Sequence, residues 1–168
     1  GVSSIVRAVN GILTVAVNAA GANYVVGDLV NCTTSGTSGQ VWVTAVNATG
    51  GVTSLELADS GQNYVAGSSV TSSGTGTGLT ITLTVGTTAR VTTALNHDFK
   101  TGDTITIAGC ATDTWFNTNH TPIGYINLTQ FSINATGSTA SPTAASSQNS
   151  TLLVDSSKSW ITNEHVGK

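Results

Sequence analysis

Residues 79–86 read Leu-Thr-Ile-Thr-Leu-Thr-Val-Gly, and Ile81, Leu83 and Val85 alternate with Thr80, Thr82 and Thr84. That period of two is the signature of a strand with one apolar and one wet face, and it sets the fold class. Similar runs lie on either side. VWVTAV (41–46) and VTSLEL (52–57) flank Asn47 to Gly51, and SSIVRAV (3–9) and ILTVAV (12–17) flank Asn10-Gly11. Asn-Gly between apolar runs predicts a tight hairpin, because both central residues of such a turn need positive φ. The expected fold is therefore all-β, built of tandem small sandwich-like or barrel-like modules, elongated and either intertwined or packed as an oligomer.

An internal repeat organises the first half. Gly21, Asn23, Tyr24, Val25, Gly27 and Val30 return as Gly61, Asn63, Tyr64, Val65, Gly67 and Val70, always 40 positions later. A repeat at fixed offset predicts two structural units of several short strands each, with the two tyrosines in equivalent places over the core edge. Residues 1–87 are thus read as two tandem β-repeats of about 40 residues. A small β-domain follows over 88–136, with RVTTAL (90–95) and TITIAG (104–109) as strands, HDFKTGD (97–103) as a turn, and two short runs in 124–134. Pro122 and Gly124 are expected to break the chain ahead of these runs. The Ser/Thr/Ala-rich stretch 137–150 reads as a linker and 151–168 as the start of a further β module. Gly1 in place of Met is expected either because Met was removed ahead of a small residue or because the chain is cut from a longer one, and the abrupt end of the last pattern suggests that the polypeptide continues past Lys168.

Composition excludes several classes. Thr, Ser, Gly and Asn supply 81 of 168 residues, while charged residues make up 8% and the formal charge is −3. Two Glu, three Lys and no Met argue against long helices. Five basic residues give no stripe to neutralise a phosphate backbone, so neither nucleic acid nor an anionic membrane is an expected partner. Cys32 and Cys110 fall in different modules and read as two small buried thiols in preference to a bridge.

Catalytic signals are weak. His97, Asp98, Asp103, Asp113 and His120 are the one set able in principle to hold a metal or move protons, but Asp28 and Asp103 each follow a glycine, where a short carboxylate caps a turn. Glu56 and Glu164 offer no paired carboxylates. The glycine-rich stretches at 36–39 and 74–78 lack the Lys-Ser/Thr ending of a phosphate loop. No enzyme activity and no cofactor are expected. Six Asn-x-Ser/Thr sequons, at Asn31, Asn47, Asn119, Asn127, Asn134 and Asn149, slightly exceed chance. Trp42 and Trp160 are able to stack on sugars, though a single strand Trp more often belongs to a core or an interface.

The motif Gly21-x-Asn23-Tyr24-x-x-Gly27-Asp28, with 50–57 and 74–80, resembles the tandem Gly/Tyr repeats of structural proteins of tailed bacteriophages. His97-x-Phe99-x-x-Gly102-Asp103-x-Ile105-x-Ile107-x-Gly109 resembles a small β-domain of phage fibre and virion proteins, with Trp115 to Thr118 departing from its usual sequel. The stretch 152–168, with Asp155, Trp160 and Asn163, is similar to the opening of another such repeat. The resemblance implies a virion component outside the host cell, part of a tail fibre or other appendage, with capsid decoration as the alternative. It implies other copies as partners, three-fold by analogy, together with other virion proteins and a host-surface glycan. A carbohydrate-binding or adhesin module of a secreted bacterial protein is the reading from another class. The expected interface residues are Trp42, Ile81, Leu83 and Val85.

Overall fold

The computed structural model describes residues 1–142 and the backbone of 153–155. Among these residues there is no α-helix, only a 3-10 turn at Thr114–Phe116. The strands are β1 (Val2–Ala22), β2 (Leu29–Cys32), β3 (Thr37–Val46), β4 (Val52–Gln62), β5 (Gly67–Ser72), β6 (Thr77–Thr93), β7 (Ile105–Ile107), β8 (Asn119–His120), β9 (Pro122–Asn127), β10 (Gln130–Asn134) and β11 (Leu153–Asp155). The ladder runs β4-β3-β2-β5-β6-β10-β9, with β1 also on β6, and a small sheet runs β11-β7-β8. Every pairing is antiparallel.

The repeat appears as an exchange of strands between its two copies. β3 of the first copy pairs with β4 of the second through Thr37–Gln62, Val41–Leu57, Trp42–Glu56 and Val43–Leu55. β6 of the second pairs with β1 of the first through Thr77–Ala22, Ile81–Val17, Thr82–Ala16 and Leu83–Val15. Each pair in one set is the other displaced by 40 positions. The turns cross over in the same way: Tyr24 N–H donates to Gly50 O at 2.9 Å, and Tyr64 N–H to Asn10 O at 2.9 Å. Each copy's tyrosine ring lies against a glycine of the other. A Cβ on Gly76 would stand 2.4 Å from the Tyr24 ring, and one on Gly36 2.5 Å from the Tyr64 ring. Both rings belong to one core with Ile12, Val30, Val41, Leu57 and Ile81. The two copies therefore share a single interior and do not stand as separate beads.

The Asn10-Gly11 hairpin does not form. β1 runs straight through that point, with a register shift between Ala8 and Gly11. Asn10 has the left-handed φ of 52°, but Gly11 has no positive φ, and a two-residue turn of this type needs both. A long partner decides the matter: β6 spans 17 residues and pairs with both halves of β1, so a bulge replaces the turn. Gly11 has a different reason to be glycine, since a Cβ there would sit 2.0 Å from Thr88 Oγ1. The second hairpin does form, because Asn47 Oδ1 accepts bonds from the N–H groups of Thr49 and Gly51. The Thr49 hydroxyl adds a third to the same oxygen. The same Asn-x-Thr device closes the turns at Asn127–Thr129 and Asn134–Thr136, so three of the six sequons hold their carboxamides inside turns.

The boundary expected between 87 and 88 falls inside β6. Its C-terminal half, with Ala89 and Val91, forms a second core with Ile5, Phe99, Ile105, Ile107, Phe116, Phe131 and Ile133. Long β1 and β6 serve both cores and tie them together. Pro122 and Gly124 lie within β9 and do not interrupt it; Gly124 lets that strand approach Ala58 O of β4. The start of the expected linker is docked. The Asp113 carboxylate accepts from Thr139 N–H at 2.8 Å and Ala140 N–H at 3.0 Å, and Arg7 Nε donates to Ser138 Oγ at 3.1 Å. The rest of that stretch, and apart from the β11 backbone the whole expected module over 151–168 with Trp160 and Glu164, lie outside the described residues.

Tyr64 carries the most exacting polar demand in the first core. It is 1% exposed, and its hydroxyl accepts from Gly39 N–H at 2.8 Å and donates to Cys32 O at 3.0 Å. Tyr64→Phe should lower unfolding free energy by about 1–3 kcal/mol, because it strands a buried N–H and a buried carbonyl. Gly76→Ala, which crowds the Tyr24 ring, should cost a similar ~1–3 kcal/mol as overpacking. Urea unfolding followed by circular dichroism measures both, and an unchanged midpoint for Gly76→Ala would show that the glycine contact is slack.

Candidate functional site

Two clefts among the described residues bear on function. The smaller, about 360 Å³, lies between the C-terminal end of β4 and the face of β1, β6 and β10. It surrounds an ion pair in which Arg90 Nη2 donates to Asp59 Oδ2; Asp59 Oδ1 also accepts from Gly61 N–H at 3.0 Å. Ser60 and Ser132 hydroxyls are buried beside it without a hydrogen-bond partner. The pair ties β4 to β6, joining the face of one core to the edge of the other.

The larger cleft, about 560 Å³, is built from three places in the chain. Trp42 of β3 and Glu56 of β4 sit directly opposite each other in the ladder. Tyr125 comes from β9, which Gly124 allows to lie against β4. The segment 97–101 closes the third side with His97, Asp98, Phe99, Lys100 and Thr101, and Leu128 stands at the rim. Trp42, Glu56 and Tyr125 are half-buried; His97 and Phe99 are buried behind them. His97 stacks on Phe99 at 5.3 Å between ring centroids and meets Phe131 edge-on at 5.0 Å, which anchors the segment to the second core.

Electrostatics divide the titratable groups into structural and available ones. His97 Nδ1 accepts from Phe99 N–H at 3.2 Å, so the proton of the neutral ring sits on Nε2, which has no hydrogen-bond partner. Burial pulls its pKa down, partly opposed by the nearby carbonyls of Gln130 and Asn127 and the charge of Asp98. His120 is lowered by burial too, with its Nε2 3.0 Å from Phe116 O. Asp28 is held below the usual carboxylate range by the N–H of Val25 and by the hydroxyl and N–H of Thr75, against the opposing effect of its burial. Asp113 is lowered likewise by the N–H groups of Ala140, Thr139 and Trp115. Asp103 accepts from Lys100 N–H at 2.8 Å across a turn. Burial pushes the Cys32 thiol up to about 12 and raises that of Cys110. Both thiols are free, one in each core.

The set His97, Asp98, Asp103, Asp113 and His120 is not gathered at one point. His97 and Asp98 line the large cleft, whereas Asp113 and His120 serve the 3-10 turn and the small sheet. Among the described residues no three His, Cys, Asp or Glu side chains come together as metal ligands would. The expected interface residues separate as well. Ile81 and Leu83 are 0% and 2% exposed inside the chain's own core, Val85 packs against that core, and Trp42 lines the cleft. Sequence reading singled out Trp42 and set Glu56 aside; it missed Tyr125 and Lys100 as neighbours of both. The antiparallel register of the two strands around Asn47 to Gly51 was the available signal for the Trp42–Glu56 pair. Neither family models, nor curated proteins, nor solved structures give a match to this chain.

The pKa directions fix the pH dependence of stability. For His97, His120, Asp28 and Asp113 the folded value lies below the unfolded one, so each contributes stability above its unfolded pKa and loses it as pH falls toward the folded value. Melting temperature should decline in two windows, first below about pH 6.5 as His97 and His120 resist protonation, then below about pH 4 as Asp28 and Asp113 are protonated. Calorimetry from neutral to acid pH measures it. Asp28→Asn should shrink the lower decline, and a flat profile down to pH 4 would contradict the assignment of both histidines.

Proposed function

We propose that the chain is a non-enzymatic structural part of a tailed bacteriophage particle, built into a tail fibre or another appendage as a homo-oligomer, three-fold by analogy with such appendages. The observation that supports this most is the surface. Val6, Val9, Val25, Val26, Val65 and Val70 stand 51–70% exposed, on a chain in which only 8% of residues are charged. Val25 and Val65 occupy corresponding positions, so each Gly-x-Asn-Tyr turn holds a valine out into water. Apolar side chains held on rigid turns favour burial against a partner over solvation, and identical copies offer that partner at fixed geometry. With Ile81 and Leu83 spent on the private core, assembly falls to these valines.

In this reading the neighbours are other copies and other virion proteins, and the location is the particle outside the host. Capsid decoration fits the same surface within the same particle. A secreted bacterial carbohydrate-binding module is the reading from another class, and the cleft at Trp42 is what favours it. Light scattering on the purified chain should give a multiple of 16.9 kDa, with three as the expected number. Val25→Asp combined with Val65→Asp should reduce that mass while leaving the circular dichroism spectrum unchanged. A wild-type monomer that stays soluble at high concentration would rule out the assembly reading.

A further inference from the structure

The large cleft holds chemistry that a purely structural part leaves unused. Trp115 spends its indole inside the molecule, against Phe116 and His120 at centroid distances of 5.1 and 4.9 Å. The Trp42 indole is half-exposed and, among the described residues, has neither a ring contact nor a hydrogen bond. Across the strand pair, the Glu56 carboxylate has no hydrogen-bond or ion-pair partner there, and the Lys100 ammonium on the facing segment has none either. The Tyr125 hydroxyl is equally unengaged. An indole, an acceptor and two donors thus line one cleft of about 560 Å³ without satisfying one another.

The repeat supplies an internal control for whether the scaffold needs these residues. The same ladder position on the other side of the exchange pairs Thr82 with Ala16, in the same register as Trp42 with Glu56. That pair is exposed and carries neither a ring nor a charge. The ladder therefore forms without them, and Trp42 and Glu56 are present only on the side where β9 and the segment 97–101 wall off a cleft.

The geometry points to a saccharide-binding site, in which one sugar ring lies with its C–H face on Trp42 while its hydroxyls bond Glu56 as acceptor and Lys100 and Tyr125 as donors. A sugar ring combines an apolar face with a rim of groups that both donate and accept, and this lining offers each counterpart. The volume falls within the range of about 300–1,000 Å³ usual for small-molecule clefts. Other ligand chemistries fit less well. A nucleotide phosphate would meet one ammonium and the carboxylates of Glu56 and Asp98. A quaternary ammonium needs several ring faces boxed around it, whereas Trp42 and Tyr125 are the half-exposed rings of this lining and His97 and Phe99 are buried behind them. An apolar segment would bury Glu56 and Lys100 without compensating bonds, and two desolvated charges oppose that. The proposal rests on the carbohydrate-binding reading of this cleft and not on the assembly reading, since the site needs Trp42 open whatever the number of copies.

The test uses the full chain on a printed array of neutral and acidic oligosaccharides, followed by calorimetric titration of the best-retained oligosaccharide. The wild-type protein should be retained on at least one sugar. Trp42→Ala and Glu56→Gln should each weaken that binding by about tenfold or more, with unchanged melting temperature for Glu56→Gln. If Trp42→Ala fails to fold, the isosteric Glu56→Gln decides. The Val25→Asp, Val65→Asp variant should keep the sugar affinity, which separates this site from assembly. No retention on any sugar, affinity unchanged in Glu56→Gln, or binding of tetramethylammonium or adenosine monophosphate in place of sugars would overturn the proposal.

Discussion

Each copy of the repeat is completed only by the other. The tyrosine of one Gly-x-Asn-Tyr turn presses on a glycine of the opposite copy, and its backbone N–H bonds a carbonyl of that copy, Gly50 O in the loop before β4 for Tyr24 and Asn10 O at the bulge of β1 for Tyr64. A glycine is required at both contacts because a methyl group would enter the ring itself, and the flat ring then covers the end of the shared core. Neither copy has a closed interior of its own: β1 needs β6, and β4 needs β3. This is the logic of a two-fold dimer interface written into a single chain. It accounts for a β-rich chain with few charges reaching a well-buried core from short strands.

The exchange also explains how the second core is attached. β6 must be long enough to pair with β1 in the first core, and it continues past that need to Thr93, where β10 adds on its other side. β1 follows it backwards to Val2. Two strands that run through both cores leave no hinge between them, and the aromatic cluster of His97, Phe99 and Phe131 fastens the intervening segment onto the result. The Asp113 carboxylate then draws residues 139 and 140 back onto the same body. Hydrogen bonds from backbone N–H to short carboxylates recur wherever a loop has to be held, and they use up much of the small acidic complement of the chain.

The symmetry of the repeat is broken at one ladder position. Matching positions around the exchange carry Trp42 and Glu56 on one side and Thr82 and Ala16 on the other, on backbones in the same register. The first side is also the one that the second core overhangs through Tyr125 and the segment 97–101. A scaffold made of two like halves thus presents two like faces, of which one is walled and furnished with a ring and charges. Of the exposed valines, Val25 and Val65 follow the opposite rule and appear on both turns.

Local chemistry was legible in the chain. Alternation in 79–86 defined a strand because side-chain direction in extended backbone is a property of neighbours. Asn47 to Gly51 defined a turn because the Asn side chain bonds its own backbone. The fixed offset of 40 positions marked Tyr24 and Tyr64 as counterparts for the same reason, since like segments make like local structure. Partner choice was not legible. Asn10-Gly11 has the composition of a turn, and only the presence of a 17-residue β6 alongside turned it into a bulge in a continuous strand. Ile81 and Leu83 announce an apolar face, but the alternation is the same whether the chain or a second copy covers that face; here the chain does. Pairing and burial are settled by segments far apart in sequence, so what belonged to the sequence by itself was the all-β class and the turns that their own side chains close, such as Asn47 to Gly51. The exchange of strands, the shared core and the meeting of Trp42 with Tyr125 were decided by tertiary structure, because each depends on which distant surface a segment finds.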